Sequence, residues 1–141
     1  MRYNVFMLNK ILIIGVIKKD NTILMRKKFP GSQPYKETWY SFGCEFVPGE
    51  APEDTFQKYI KNLLSIDISP LRQLSWDTEK KSDYDGIEKQ FIYLELEFSY
   101  VSGQHIVPSE FEDVQWIALE KLKDLDVVPP SVQLFKRLGY V

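Results

Sequence analysis

"GCEFVPGEAPEDTFQKYIKNLLSI", residues Gly43 to Ile66, is the stretch on which the reading of this chain turns. It runs from a glycine-bearing segment through a Pro-Gly-Glu turn into a proline-started helix. Phe56, Ile60, Leu63 and Leu64 fall at i, i+4, i+7 and i+8, so residues 52–64 predict an amphipathic helix. Pro52 suits the first turn, where a missing N–H costs no intrahelical bond, and Glu53 and Asp54 complement the positive end of the helix dipole. Such a turn-and-helix unit looks built for an anion and a metal. Its second half, "KYIKNLL", nevertheless holds no carboxylate.

Upstream, "ILIIGVIKKDNTILMRKK" (11–28) reads as two β-rich runs around a polar turn at Lys18 to Asn21, a hairpin signal. "FPGSQPYKETWYSFG" (29–43) has two prolines and two glycines and predicts a loop closing on a short strand near Trp39–Phe42. Downstream, residues 67–78 predict a strand, 79–89 a polar loop, and "QFIYLELEFSYV" (90–101) a strand. In that last strand Ile92, Leu94, Leu96 and Phe98 alternate with Tyr93, Glu95 and Glu97, which predicts one wet face. "DVQWIAL" (113–119) predicts a final strand, "LEKLKDL" (119–125) a short helix, and 129–139 a terminal helix started by prolines and ended by Gly139. Strands, helix, strands, helix is the order of an α+β fold with a mixed sheet.

The length of 141 residues suits one domain, read here as 1–141, and 44% hydrophobic with 14% aromatic residues is enough for a packed core. A net charge of −2 argues against extended nucleic-acid binding or attraction to an anionic membrane. The "RKK" cluster at 26–28 still suits contact with a few phosphates. The single cysteine, Cys44, excludes an intrachain disulfide and a cysteine-rich zinc site. The single histidine, His105, sits beside a Ser-Gly turn and reads as a surface or edge residue. "ILIIGV" is too short for a membrane span or a signal peptide, so a cytoplasmic protein is expected.

The opening segment resembles the Nudix box, G-x5-E-x7-R-E-U-x-E-E-x-G-U with U aliphatic, laid without a gap from Cys44 to Ile66. The first box glutamate falls on Glu50, the arginine on Lys58, the aliphatic positions on Ile60 and Ile66, and the glycine that usually precedes the box on Gly43. Cys44 stands for the first glycine, Tyr59 for the glutamate after the arginine, Asn62 and Leu63 for the paired glutamates, and Ser65 for the last glycine. The flanks resemble the family as well: the opening hairpin, the "TWY" strand, and "EFEDVQWIALEKLKDL" as the closing strand and helix. The resemblance implies a Nudix fold, with a mixed β-sheet packed between helices as an α/β/α sandwich.

It further implies hydrolysis of nucleoside diphosphates linked to another moiety, with Mg²⁺ held by the box glutamates. Mg²⁺ takes hard oxygen ligands in near-octahedral array and neutralises phosphate while orienting water. Positions 59 and 63, four apart, lie on one side of the helix with 62 on the neighbouring row. Here they are tyrosine, leucine and asparagine. Asn62 brings an oxygen without charge, and Tyr59 and Leu63 widen the apolar face. Glu50 is the surviving acid, a weak metal candidate whose place near the helix start better suits a structural carboxylate. Lys58 keeps the arginine's charge without its planar fork.

The catalytic candidates are thus Glu50 and Asn62, at a site degenerate at Tyr59 and Leu63, with Mg²⁺ expected only if the protein is active. Ligand-facing candidates are Arg26, Lys27, Gly43 and Lys58, with Phe29, Tyr35, Trp39 and Tyr40 available for base stacking. The expected function is binding of a nucleotide-like or other diphosphate-containing small molecule, in a regulatory role with little or no hydrolysis. The alternative is an active pyrophosphohydrolase drawing on Asp77, Glu79, Asp83, Asp85 and Glu88 of the 77–88 segment. A homodimer is left open.

Overall fold

A computed structural model describes residues 8–32 and 34–141. In chain order its elements are β1 (Leu8–Lys19), β2 (Thr22–Lys27), β3 (Trp39–Tyr40), β4 (Phe42–Glu45), α1 (Pro52–Leu64), β5 (Asp67–Ser82), β6 (Glu88–Ser102), β7 (Asp113–Ala118), a 3₁₀ turn (Leu119–Asp124) and α2 (Pro129–Arg137). The sheet order is β3-β2-β1-β6-β5, with β4 paired to β1 and β7 to β2. β1 and β6 run parallel, and the other strand pairs are antiparallel. The sheet is mixed, as the sequence predicts.

One feature of the pairing creates the site. β1 and β2 share only Lys18↔Ile23 and Lys19↔Thr22 at the hairpin. Beyond that point β1 takes β4 as its partner over Leu12–Gly15, while β2 takes β3 and β7. The sheet therefore opens into two half-sheets around a gap.

Alternation along β1 sends residues to opposite faces. Ile13 and Ile17 join Leu24, Phe42 and Phe98 against Phe56, Ile60 and Leu64 of α1. Val16 joins Ile23, Met25 and Trp39 against Leu134 and Phe135 of α2 and Leu122 of the 3₁₀ turn. Helices thus cover both faces, the expected α/β/α arrangement. α1 seats closely because β1 carries Gly15 opposite Phe56, which is fully buried and stacked on Phe98 at 4.7 Å. α1 ends at Ser65, held left-handed at φ 63°, where the Nudix box has its last glycine. A side chain costs about 1 kcal/mol in that conformation, a strain glycine would relieve.

Two expectations are corrected. The polar stretch 79–89 is not a loop: β5 continues to Ser82, β6 begins at Glu88, and only residues 83–87 turn. β5 ends the strand order, so its polar residues face solvent while its backbone stays paired to β6. The expected wet face of β6 is buried, with Tyr93, Glu95 and Glu97 each exposed by 5% or less. β6 lies inside the sheet, and arginines cover its acids: Arg72 on Glu97 and Arg137 on Glu95. His105, expected at the surface or an edge, lies partly exposed in the irregular segment before β7, where its Nε2 donates to Val114 O and its ring packs edge-on to Trp116. Among the described residues no helix is long and apolar enough to cross a membrane.

Candidate functional site

The gap between the half-sheets is a cavity of about 810 Å³. Leu12, Ile14, Gly43 and Glu45 line it from β1 and β4, and Arg26 and Tyr40 from β2 and β3. The 28–35 loop adds Lys28 and Tyr35, the β5–β6 hairpin adds Lys81 and Tyr84, and β6 adds Phe91 and Tyr93. Glu110 and Phe111, just before β7, close one side. A space of this size lined by aromatics and a few charges is typical of small-molecule sites.

The basic cluster at 26–28 divides by strand parity. Arg26 enters the cavity. Lys27, the next residue, faces the other way, 3.6 Å from Glu112 and over the Trp39 ring. Lys28 is 8% exposed and lines the cavity, but its ammonium donates to Ser32 O and Tyr35 O and so holds the 28–35 loop. Burial lowers its pKa. Lys10 and Lys81 line the cavity with acids already against them: Asp83 and Glu45 for Lys10, Glu79 for Lys81. Lys81 also sits among Tyr35, Phe91 and Tyr93, with both tyrosine hydroxyls bonded to Glu79.

Arg26 differs. Its guanidinium carbon lies 3.9 Å from the Tyr40 ring centre, with Phe111 at 5.1 Å and Phe42 at 5.2 Å. Nε donates to Ser41 O at 3.2 Å and Nη1 to the Tyr59 hydroxyl at 3.3 Å. Among the described residues no carboxylate pairs with it. Beside it, Ser41 is 5% exposed, and its hydroxyl has no hydrogen-bond partner among those residues.

The box residues scatter. Glu50 accepts from Thr55 Oγ1 at 2.6 Å and lies 3.4 Å from Lys58 Nζ. The Thr55 bond, with Lys58 contributing less, lowers the Glu50 pKa against opposing desolvation. Glu50 and Lys58 therefore brace the start of α1, as an ion pair of this box is expected to do. Lys58 is exposed and lines a separate open groove with Asn62, Lys61 and Asp67, away from the cavity. Tyr59 and Leu63 pack, half-buried, against the core beneath α1. Burial raises the Tyr59 pKa, so its hydroxyl stays protonated. Burial likewise pushes the Cys44 thiol up to about 11 against the opposing pull of Arg26, leaving it a poor nucleophile.

These residues do not fit a resident Mg²⁺. Among the described residues no group of three His, Cys, Asp or Glu side chains converges on a point. The 77–88 acids are occupied: Asp77 with Arg137, Glu79 with Lys81, Asp83 with Lys10 and Lys89, Asp85 with Lys89, and Glu88 with Lys80. Several cavity residues carry no signal as site residues in the sequence, Ser41, Lys10 and Glu110 among them. Ser41 and Lys10 carry no motif. Glu110 lies inside the quoted "EFEDVQW" stretch, where its acid alone does not mark a site.

No protein-family model matches the chain. Its sequence is 24% identical over 139 residues to the Nucleoside triphosphatase NudI of Enterobacter sp. (strain 638), covering 94% of this chain and 99% of that protein. The protein of the same name from Escherichia fergusonii is 23% identical over 127 residues, covering 86% and 90%. Among solved structures, the MutT protein from Methanosarcina mazei Go1 matches at a TM-score of 0.73 and 16% identity, over 97% of this chain and 96% of that one. The NUDIX domain of Shewanella oneidensis NrtR, solved as a complex with ADP ribose, matches at 0.65 and 15% identity, over 94% and 86%. The architecture is the Nudix fold. The sequence likenesses run over nearly the full length of the chain.

Proposed function

We propose that this chain binds a nucleotide-like, diphosphate-bearing small molecule in the cavity between its half-sheets and hydrolyses it little or not at all, acting as a sensor or regulatory module. The observation that carries this reading is the contrast between cavity and helix. The cavity keeps aromatic walls and cationic groups suited to a base and a phosphate chain. The helix that would gather the metal presents Tyr59, Asn62 and Leu63 in place of three carboxylates. Without those ligands nothing local concentrates the divalent charge that orients water at phosphorus. The ADP-ribose complex of a fold neighbour supports the ligand class, and the names of the sequence relatives put nucleoside triphosphates first in any panel.

Purified protein with Mg²⁺ or Mn²⁺ is expected to release little or no phosphate product from nucleoside triphosphates, ADP-ribose, dinucleoside polyphosphates or NADH. At least one of these compounds is expected to raise the melting temperature, since a ligand at about 100 times its Kd adds about 2.7 kcal/mol to the folded state. Robust metal-dependent turnover of any of them contradicts the reading. A second reading, turnover by an acid outside the box, rests on Glu110, the exposed carboxylate beside Phe111 at the cavity wall. On that reading turnover is present and Glu110→Gln removes it.

A further inference from the structure

The half-buried guanidinium of Arg26 is closely held yet answered by no acid among the described residues. Arg72 and Arg137, the other described arginines, both close on glutamates that are 4% exposed. Arg26 instead stacks on Tyr40, between Phe42 and Phe111, and donates to two neutral oxygens, Ser41 O and the Tyr59 hydroxyl. The two bonds leave guanidinium N–H donors over, because the group carries more donors than the protein engages. The charge is therefore fixed in direction, partly desolvated and unanswered by any described carboxylate. A cation in that condition attracts a soft or multiply charged anion strongly, since surrounding rings lower the local dielectric.

Its position matters as much as its charge. Tyr59 occupies the box position of a metal-gathering glutamate, and its hydroxyl touches the arginine at 3.3 Å. A glutamate there would meet the guanidinium as an ion pair or share the space with a metal. The neutral tyrosine does neither and serves as a buttress. The Ser41 hydroxyl, on the residue whose carbonyl receives Arg26 Nε, adds a donor with no partner among the described residues. Both groups line the cavity.

We propose that Arg26 has taken over the charge-neutralising task of the box cation, so that the cavity holds a pyrophosphate-bearing ligand without any divalent metal. The guanidinium fork binds two phosphate oxygens, Ser41 Oγ donates a further bond, and Tyr59 keeps the fork in place. No covalent step is involved. This rests on the cavity reading above and sharpens it, because a binder that merely lost its acids would still depend on metal bridging to hold a diphosphate.

The test is isothermal titration of ADP-ribose, and separately of inorganic pyrophosphate, in excess EDTA and again in Mg²⁺. Affinity for each is expected to agree within about threefold between the two buffers. Arg26→Lys and Arg26→Gln should each weaken binding about tenfold or more, the worth of a lost charge-assisted bidentate contact. Tyr59→Phe should weaken it about threefold, the loss of one neutral hydrogen bond that steadies the fork, whereas Tyr59→Glu should weaken it about tenfold by pairing with the guanidinium. Circular dichroism checks that each variant is folded, and Tyr59→Glu decides the matter should either Arg26 variant fail to fold. Binding that appears only with Mg²⁺ overturns the proposal while leaving the cavity reading intact, as does unchanged affinity in the Arg26 variants. No binding in either buffer overturns both.

Discussion

Arg137→Ala should lower the folding free energy by about 3 kcal/mol, the low end for breaking a buried ion pair because Arg137 itself is 39% exposed. Glu95 is 4% exposed, and Arg137 Nη2 reaches its two oxygens at 2.6 and 2.7 Å. Ser75 Oγ donates a third bond at 2.7 Å. Removing the guanidinium leaves a carboxylate in the middle of the sheet with one hydroxyl for company, and desolvation of that charge is the cost. Arg137 also sits in the last turn of α2, where a cation favours the negative end of the helix dipole, so the loss loosens that helix too. Urea denaturation measures it. Combining Arg137→Met with Glu95→Leu should recover most of the loss, because the penalty belongs to the orphaned charge and not to the missing pair. A loss below about 1 kcal/mol for Arg137→Ala would mean that Glu95 keeps access to water.

Gly15→Ala should be comparably damaging for a purely steric reason. A Cβ on Gly15 would lie 2.2 Å from both Cε1 and Cζ of Phe56. The ring has no retreat, being fully buried and stacked on Phe98 at 4.7 Å with 27° between planes. β1 is equally fixed, since Gly15 pairs with Phe42 on one side and Leu96 on the other. Overpacking ordinarily costs about 1–3 kcal/mol, and this overlap belongs at the upper end. Gly43→Ala is the control. Its nearest contact is Ile14 Cδ1 at 2.8 Å, the end of a flexible side chain that can turn toward the cavity. The control should lose under about 1 kcal/mol. Equal losses for the two variants would sink the steric account.

Much of the fold is written locally in the chain. The bounds of α1 are those expected because the 3.6 period, Pro52 and the acidic first turn all agree. The opening hairpin, the final strand and the terminal helix follow from similarly local signals. What fails is reading solvent from alternation in β6. Glu95 and Glu97 look wet because an acid at every second position normally is, yet their partners Arg137 and Arg72 lie 42 and 25 residues away. No periodicity reports a pairing that distant. β5 fails in the opposite sense, since an edge strand with polar side chains carries the composition of a loop.

The candidate site divides along the same line. That the box helix lacks its acids is plain from the letters at 59, 62 and 63. That Arg26 faces the cavity while Lys27 turns away depends on strand parity, which the run of basic residues does not reveal. The role of Tyr59 was half legible. Its ring widens the apolar face as expected, but its hydroxyl also buttresses a guanidinium brought from another strand by tertiary packing. Nothing in the sequence marks Ser41, whose buried hydroxyl beside the cavity has no partner among the described residues.

The central claim is that the box helix no longer assembles a metal site. Titrating Mn²⁺ into the ligand-free protein and following the free-ion signal by electron paramagnetic resonance tests it most directly. The account predicts no loss of free Mn²⁺ beyond weak surface association up to about millimolar metal, because a hard cation needs converging oxygen ligands that this helix does not offer. Stoichiometric uptake of Mn²⁺ at about micromolar concentration, abolished by Glu50→Gln, would contradict it.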